Sequence, residues 1–200
     1  MTREKDLIMS IKPLHARRTA LFTLAVAALG ADIAAAHKAI AGFSGLPHRL
    51  EKAGTVRSIT CYNDSYATRP DATLGAISAF DQPLALILGG SEKHADFGEL
   101  ARQLCLHPTL CRIVLIGTTA NRIAAEVEHT AGELNRPAPP LMKADSLENA
   151  FALGLEALEQ KETPGEKVLL FSPACASFDM FNNYEHRGEV FMQTVREHCA

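Results

Sequence analysis

From residue 55 onward, apolar and polar positions alternate in blocks. Short apolar runs of strand length are separated by amphipathic stretches of helical length. "TVRSITCY" (55–62) is rich in β-branched residues and predicts a strand. "RPDATLGAISAF" (69–80) predicts a helix with Pro70 in its first turn. "LALILGG" (84–90), "CRIVLIG" (111–117) and "KVLLFSP" (167–173) are continuous apolar runs, the pattern of strands buried on both faces. Helices are predicted over 96–106, 120–134, 147–160 and 183–198, and a short strand over 140–144. Asp145 or Ser146 is placed to cap the third of these helices, and Pro164–Gly165 marks a turn.

Repeated strand–helix units predict an α/β fold, a Rossmann-like and mostly parallel sheet with helices on both faces. In such sheets ligands sit beyond the carboxyl ends of the strands. Four segments occupy that end: 63–70, 89–97, 117–121 and 172–188. Three of them are rich in polar residues, so one sheet edge is expected to gather Asp64, Thr68, Lys93, Ser177 and Arg187. Lys93 precedes a predicted helix start. A mobile ammonium beside fixed N–H groups suits a carboxylate or phosphate. Taken alone, Lys93 is a solvated lysine and Ser177 is a helix cap as readily as a ligand contact. For Arg187 a structural ion pair is the better expectation.

Residues 1–44 depart from the alternation. Two helical runs, about 17–29 and 32–42, flank Gly30, and the Gly- and Pro-bearing "GFSGLPHRLE" then leads into the first strand. "RRTALFTLAVAALGADIAAAH" (17–37) has the twin Arg, apolar run and A-x-A-like end of an export signal. It is too interrupted to span a membrane, which takes about 20 apolar residues. An amphipathic helix explains it better.

Composition narrows the function classes. The chain is 200 residues long and 47% hydrophobic, with a net charge of −3. That is a globular composition with no basic footprint for nucleic acid. The five Cys include no C-x-x-C pair, which argues for reduced thiols rather than a disulfide frame or zinc site. No phosphate-loop motif G-x-x-x-x-G-K-[ST], no G-x-G-x-x-G after a strand and no G-x-S-x-G occurs.

Four segments, "FSGLPHRLE", "NDSYATRPDAT", "LILGGSEKHADF" and "LLFSPACASFDMFNNYEHRGEVF", together resemble the C-terminal domain of the Mur ligases, in order and in spacing. The D-glutamate-adding branch is the nearest in pattern. The resemblance implies that 45–200 is that C-terminal domain and that 1–44 is a helical remnant of the family's central ATPase domain plus linker. It implies ATP-dependent amide-bond formation through an acyl phosphate, in cytoplasmic peptidoglycan precursor synthesis. The partners it implies are D-glutamate, ATP and UDP-N-acetylmuramoyl-L-alanine and, if the ligase is split, a separate chain carrying the N-terminal and central domains; ATP and magnesium are bound mainly by that central domain. It places His48, Arg49 and Asp64 on the nucleotide side, and Thr68, Lys93, Ser177, Phe178 and Tyr184 at the D-glutamate. No catalytic residue and no metal ligand is implied in these 200 residues.

Two departures fall on the nucleotide side. Tyr66 stands where the family usually has Lys. Ala16 and Thr19 follow His15 where Asn is usual. They keep open a second reading, a non-catalytic amino-acid-binding or regulatory module (or gene remnant) descended from such a ligase.

Overall fold

The computed structural model describes residues 29–30, 32–41 and 45–199. The chain divides into two compact units, residues 1–45 and 46–200. In the first, helix α1 (Ile33–Ala41) follows the left-handed Gly30, and Asp32 Oδ1 accepts a hydrogen bond from Ala34 N at 2.9 Å. His15, Ala16, Thr19 and most of the signal-like run lie outside the described residues. Among the described residues no helix is long and apolar enough to cross a membrane.

The second unit holds one six-stranded sheet and five helices. In chain order these are β1 (Glu51–Val56), β2 (Ile59–Asn63), α2 (Pro70–Ile77), β3 (Leu84–Gly89), α3 (Gly98–Leu106) and β4 (Leu110–Ile116). Then come α4 (Ala120–Glu133), β5 (Leu141–Lys143), α5 (Leu147–Glu159), β6 (Lys167–Phe171) and α6 (Tyr184–His198). The sheet order is β1-β2-β6-β3-β4-β5. Only the β1–β2 pair is antiparallel. The α/β expectation holds.

One element differs from its prediction. The run 55–62 is a hairpin, not one strand. Val56 pairs with Ile59 across a two-residue turn in which Arg57 and Ser58 have φ of 49° and 68°. Both central residues in the left-handed region is the type I′ pattern, whose usual signal is Asn-Gly. Arg-Ser carries no such signal, so the two strands read as one.

Side chains of β3 alternate between two cores. Leu84, Leu86 and Leu88 pack with Leu100 and Leu104 of α3 and with Ile123 and Val127 of α4. Ala85 and Ile87 pack on the other face with Phe151 and Leu155 of α5 and Phe191 of α6. Helices on both faces explain why this strand is apolar at every position. Each buried Leu, Ile or Phe contributes about 1.5–3 kcal/mol by leaving water. Ser146, not Asp145, caps α5, its hydroxyl accepting from Asn149 N at 3.1 Å.

α2, α3 and α4 cover one face, while α5 and α6 cover the other. After β3 the chain therefore leaves toward one face, and after the adjacent β6 toward the other. That switch point opens a crevice between their carboxyl ends.

Two helical glycines separate packing from propensity. A Cβ at Gly75 meets nothing within 4 Å, whereas one at Gly154 would lie 2.5 Å from Leu169 Cδ1. Gly75→Ala is expected to stabilise the fold by about 0.5–1 kcal/mol. Gly154→Ala should destabilise it by about 1–3 kcal/mol through overpacking. Urea denaturation of both variants checks this, and shifts of equal sign would contradict it.

Candidate functional site

Three loops meet at the crevice: 64–69 after β2, 90–97 after β3 and 172–183 after β6. Backbone bonds stitch the last two. Gly89 N donates to Pro173 O at 2.8 Å, Ser91 N to Ala176 O at 2.8 Å, and Phe178 N to Ser91 Oγ at 3.2 Å. Asp179 Oδ2 accepts from Thr118 N at 2.9 Å, which ties in the loop after β4.

Asp64 lies beneath this surface, 5% exposed. Its Oδ1 accepts from Leu50 N at 3.1 Å and its Oδ2 from Ser172 Oγ at 2.7 Å. The carboxylate thus joins the segment entering the domain to the end of β6. Burial pushes its pKa up to about 6, against the pull of both hydrogen bonds and of Arg49. His48 and Leu50 have φ of 60° and 47°, a conformation that costs a non-glycine residue about 1 kcal/mol or more. Local bonds hold it. His48 N donates to Glu51 Oε2 at 2.8 Å, and Tyr66 N donates to His48 O at 2.9 Å. Asn63 Nδ2 donates to His48 Nδ1 at 2.9 Å, which leaves the neutral ring's proton on Nε2.

Arg49, Tyr66 and Tyr184 form an aromatic ledge. The Arg49 guanidinium lies 5.6 Å from the Tyr66 ring centroid, and Tyr66 meets Tyr184 edge to face at 5.2 Å. Tyr66 is 50% exposed. It uses its ring for contacts that an ammonium would not make.

Thr68 and Lys93 share a cavity of about 760 Å³ between the starts of α2 and α3, also lined by Arg69, Asp71, Asp96 and Glu99. Among the described residues Lys93 forms no ion pair. Its Nζ lies 5.8 Å from the centroid of Phe178, which is 68% exposed. The loop carrying Lys93 is anchored by Arg122, which donates to Glu92 Oε1 at 2.6 Å and to Ala95 O. At the start of α3, Asp96 Oδ1 accepts from Gly98 N at 2.8 Å and so takes up one of the helix's first N–H groups. Arg69, at the rim of the same cavity, pairs with Asp71 at 3.1 Å.

Ser177 is buried, at the turn from which Met180 N and Phe181 N donate to its carbonyl. The helix that follows is capped by Asn183, whose side chain accepts from His186 N, so Ser177 is not its cap. The structure thus groups Thr68 with Lys93, Lys93 with Phe178, and Arg49 with Tyr184 through Tyr66. Asp64 supports from below.

Arg187 corrects its expectation. Among the described residues it has no carboxylate within ion-pair distance. It is completely buried, and donates to Ser65 Oγ (3.0 Å), Ser65 O (2.8 Å), Cys175 O (3.0 Å) and Ala176 O (3.1 Å). Burial lowers its pKa to about 10, so it stays charged at neutral pH. An Arg one turn into a helix looks like a surface residue in sequence, and its carbonyl partners leave no mark there. Among the described residues no group of three or more His, Cys, Asp or Glu could hold a metal. Cys61, Cys105, Cys111, Cys175 and Cys199 are all free thiols, three of them buried.

A mostly parallel sheet with polar loops converging on its switch point defines a ligand-binding α/β domain. Residues 48–175 match the family model for the Mur ligase glutamate ligase domain, and the chain belongs to the Mur ligase family. It is 37% identical over 184 residues to the UDP-N-acetylmuramoylalanine–D-glutamate ligase of Caldanaerobacter subterraneus subsp. tengcongensis, covering 92% of this chain and 38% of that protein. The proteins of the same name from Koribacter versatilis and Thiobacillus denitrificans are 40% and 38% identical, over 80% and 96% of this chain and 32% and 38% of theirs. The chain thus spans well under half the length of these curated relatives. A folylpolyglutamate synthase of Mycobacterium tuberculosis, solved in complex with ADP, shares the fold. The TM-score is 0.57 at 16% identity, over 83% of this chain and 37% of that one.

The buried Asp64 gives a signed pH dependence. Its folded pKa of about 6 lies above the 3.8 of an unperturbed aspartate. The folded state therefore takes up the proton first as pH falls, and the carboxylate's burial penalty is relieved between about pH 6 and pH 4. Relative to Asp64→Asn, the wild type should gain on the order of 2 kcal/mol between pH 7 and pH 4. Parallel stability–pH curves from denaturant titrations of the two proteins would contradict this.

Proposed function

We propose that residues 45–200 are the amino-acid-binding C-terminal domain of a D-glutamate-adding ligase in peptidoglycan precursor synthesis, and that 1–44 is the end of its central domain. The observation that carries this is the cavity that Thr68 and Lys93 share, with Lys93 Nζ 5.8 Å from the Phe178 ring centroid, in a chain 37% identical to a relative named for D-glutamate ligation. In the proposed reaction the carboxylate of UDP-N-acetylmuramoyl-L-alanine attacks the γ-phosphorus of ATP, giving an acyl phosphate and ADP. The amine of D-glutamate then attacks the acyl carbon and expels phosphate.

Within this scheme Lys93 pairs with a glutamate carboxylate, and Thr68, Ser177, Phe178 and Tyr184 border the same ligand. His48 and Arg49 face the nucleotide. Asp64, whose carboxylate oxygens each retain a lone pair, accepts a ribose hydroxyl. ATP and magnesium are held mainly by a central domain, in keeping with the absence of a phosphate-loop motif from these 200 residues. Turnover therefore needs the remaining domains, on the same chain or on a partner chain, in the cytoplasm. A second reading, a non-catalytic amino-acid-binding or regulatory module, is favoured by Tyr66, whose ring is engaged by Arg49 and Tyr184.

Calorimetric titration of the chain with D-glutamate tests the binding claim. Binding is expected, and Lys93→Ala should weaken it about tenfold or more by removing a charge-assisted contact. Undetectable binding by the folded wild type would overturn the assignment. Phosphate release with ATP, magnesium, UDP-N-acetylmuramoyl-L-alanine and D-glutamate is expected only when the missing domains are supplied. Release by the chain alone would refute the dependence on them.

A further inference from the structure

The guanidinium of Arg187 binds two of the crevice loops directly and borders the third. Nε and a terminal nitrogen hold the hydroxyl and carbonyl of Ser65, in the loop after β2. The other terminal nitrogen, NH1, holds the carbonyls of Cys175 and Ala176, in the loop after β6. The loop after β3 joins indirectly: Ser91 N donates at 2.8 Å to Ala176 O, the same carbonyl that NH1 holds, and a Cβ on Gly90 would have no room there, lying 2.3 Å from Ala176 O and 3.2 Å from NH1. Ser65 Oγ donates onward to Tyr184 O at 2.8 Å, which closes a ring back to the first residue of α6.

Stability alone does not call for this arrangement. A completely buried cation with no carboxylate in ion-pair contact, Asp179 acting on it only from farther off, is expensive to desolvate, and well-packed apolar residues commonly replace buried charges without loss. What an apolar side chain cannot do is hold separate loops at hydrogen-bonding distance from one rigid plane. Each loop carries a candidate ligand residue a few positions away: Thr68 and Lys93, which line the cavity, and the buried Ser177.

We propose that Arg187 is a positioning residue, locking the loops after β2, β3 and β6 around one guanidinium so that Thr68, Lys93 and Ser177 converge on one small ligand. That the ligand is an amino acid rests on the reading given under Proposed function. The locking of the loops does not. Lysine at 187 keeps the charge but cannot make the fork, and Ser65→Ala removes one hydroxyl from the ring while leaving Arg187 in place.

Amide hydrogen exchange followed by mass spectrometry, on the full chain, tests the lock. In Arg187→Lys and Ser65→Ala, exchange should quicken about tenfold in peptides covering 64–69, 90–95 and 173–178 together, the loss of roughly one hydrogen bond. Peptides of β3 and β4 should keep wild-type protection. Acceleration everywhere, in a single loop or in none would overturn the proposal. If Arg187→Lys does not fold, Ser65→Ala decides alone. Calorimetry with D-glutamate supplies the second arm, where both variants should bind about tenfold more weakly at unchanged strand protection. Loosened loops with unchanged affinity would remove the positioning role. A wild type that binds no D-glutamate would refute the amino-acid assignment, with the exchange result still deciding whether Arg187 locks the loops.

Discussion

The hydrogen-bond ladders on either side of β6 decide where everything else in the site can be. Its residues 167–171 pair with 59–63 of β2 and its residues 168–171 with 84–87 of β3. The last strand of the chain is thereby inserted between the second and the third. Asp64 N then donates to Phe171 O at 2.7 Å, and Ser172 N to Ile87 O at 3.2 Å. Loops separated by up to about a hundred positions of chain start from adjacent points in space. The crevice follows, because the connections after β3 and β6 leave toward opposite faces of the sheet.

The charges around this crevice are divided between support and reception. Asp64 and Arg187 are buried, carry opposite sign and do not pair with each other. Each is satisfied by backbone and hydroxyl groups on a different loop. Such bonds cost desolvation and return geometry. Lys93 and Arg49 remain exposed, near the aromatic faces of Phe178 and Tyr66, and a cation so placed can still turn toward an incoming anion. Tyr66 fits this division. Its ring makes contacts with Arg49 and Tyr184.

How much of this was legible beforehand can be argued from particular residues. The strands at 84–89, 111–116 and 167–171 were readable because a sheet covered on both faces demands apolar residues at every position. A cap at Asp145 or Ser146 was readable because its chemistry is local, and the structure decided for Ser146. The hairpin at 57–58 was not, because Arg and Ser adopt the left-handed turn without its usual residues. The ion pair expected for Arg187 was wrong for a related cause. Its partners are carbonyl oxygens, which every residue possesses, so no side chain announces them.

The sequence by itself determined the α/β class, most element positions, the polar loops and, through its four motifs, the family. Each of these rests on local periodicity or on the identity of side chains. Tertiary structure alone decided the strand order, the burial of Asp64 and Arg187, the ledge of Arg49, Tyr66 and Tyr184, and the cavity that Thr68 and Lys93 share. Those features depend on which backbone groups meet across long separations in the chain. Such meetings are set by the sum of sheet pairing and two-faced packing, a quantity that no single stretch of residues carries.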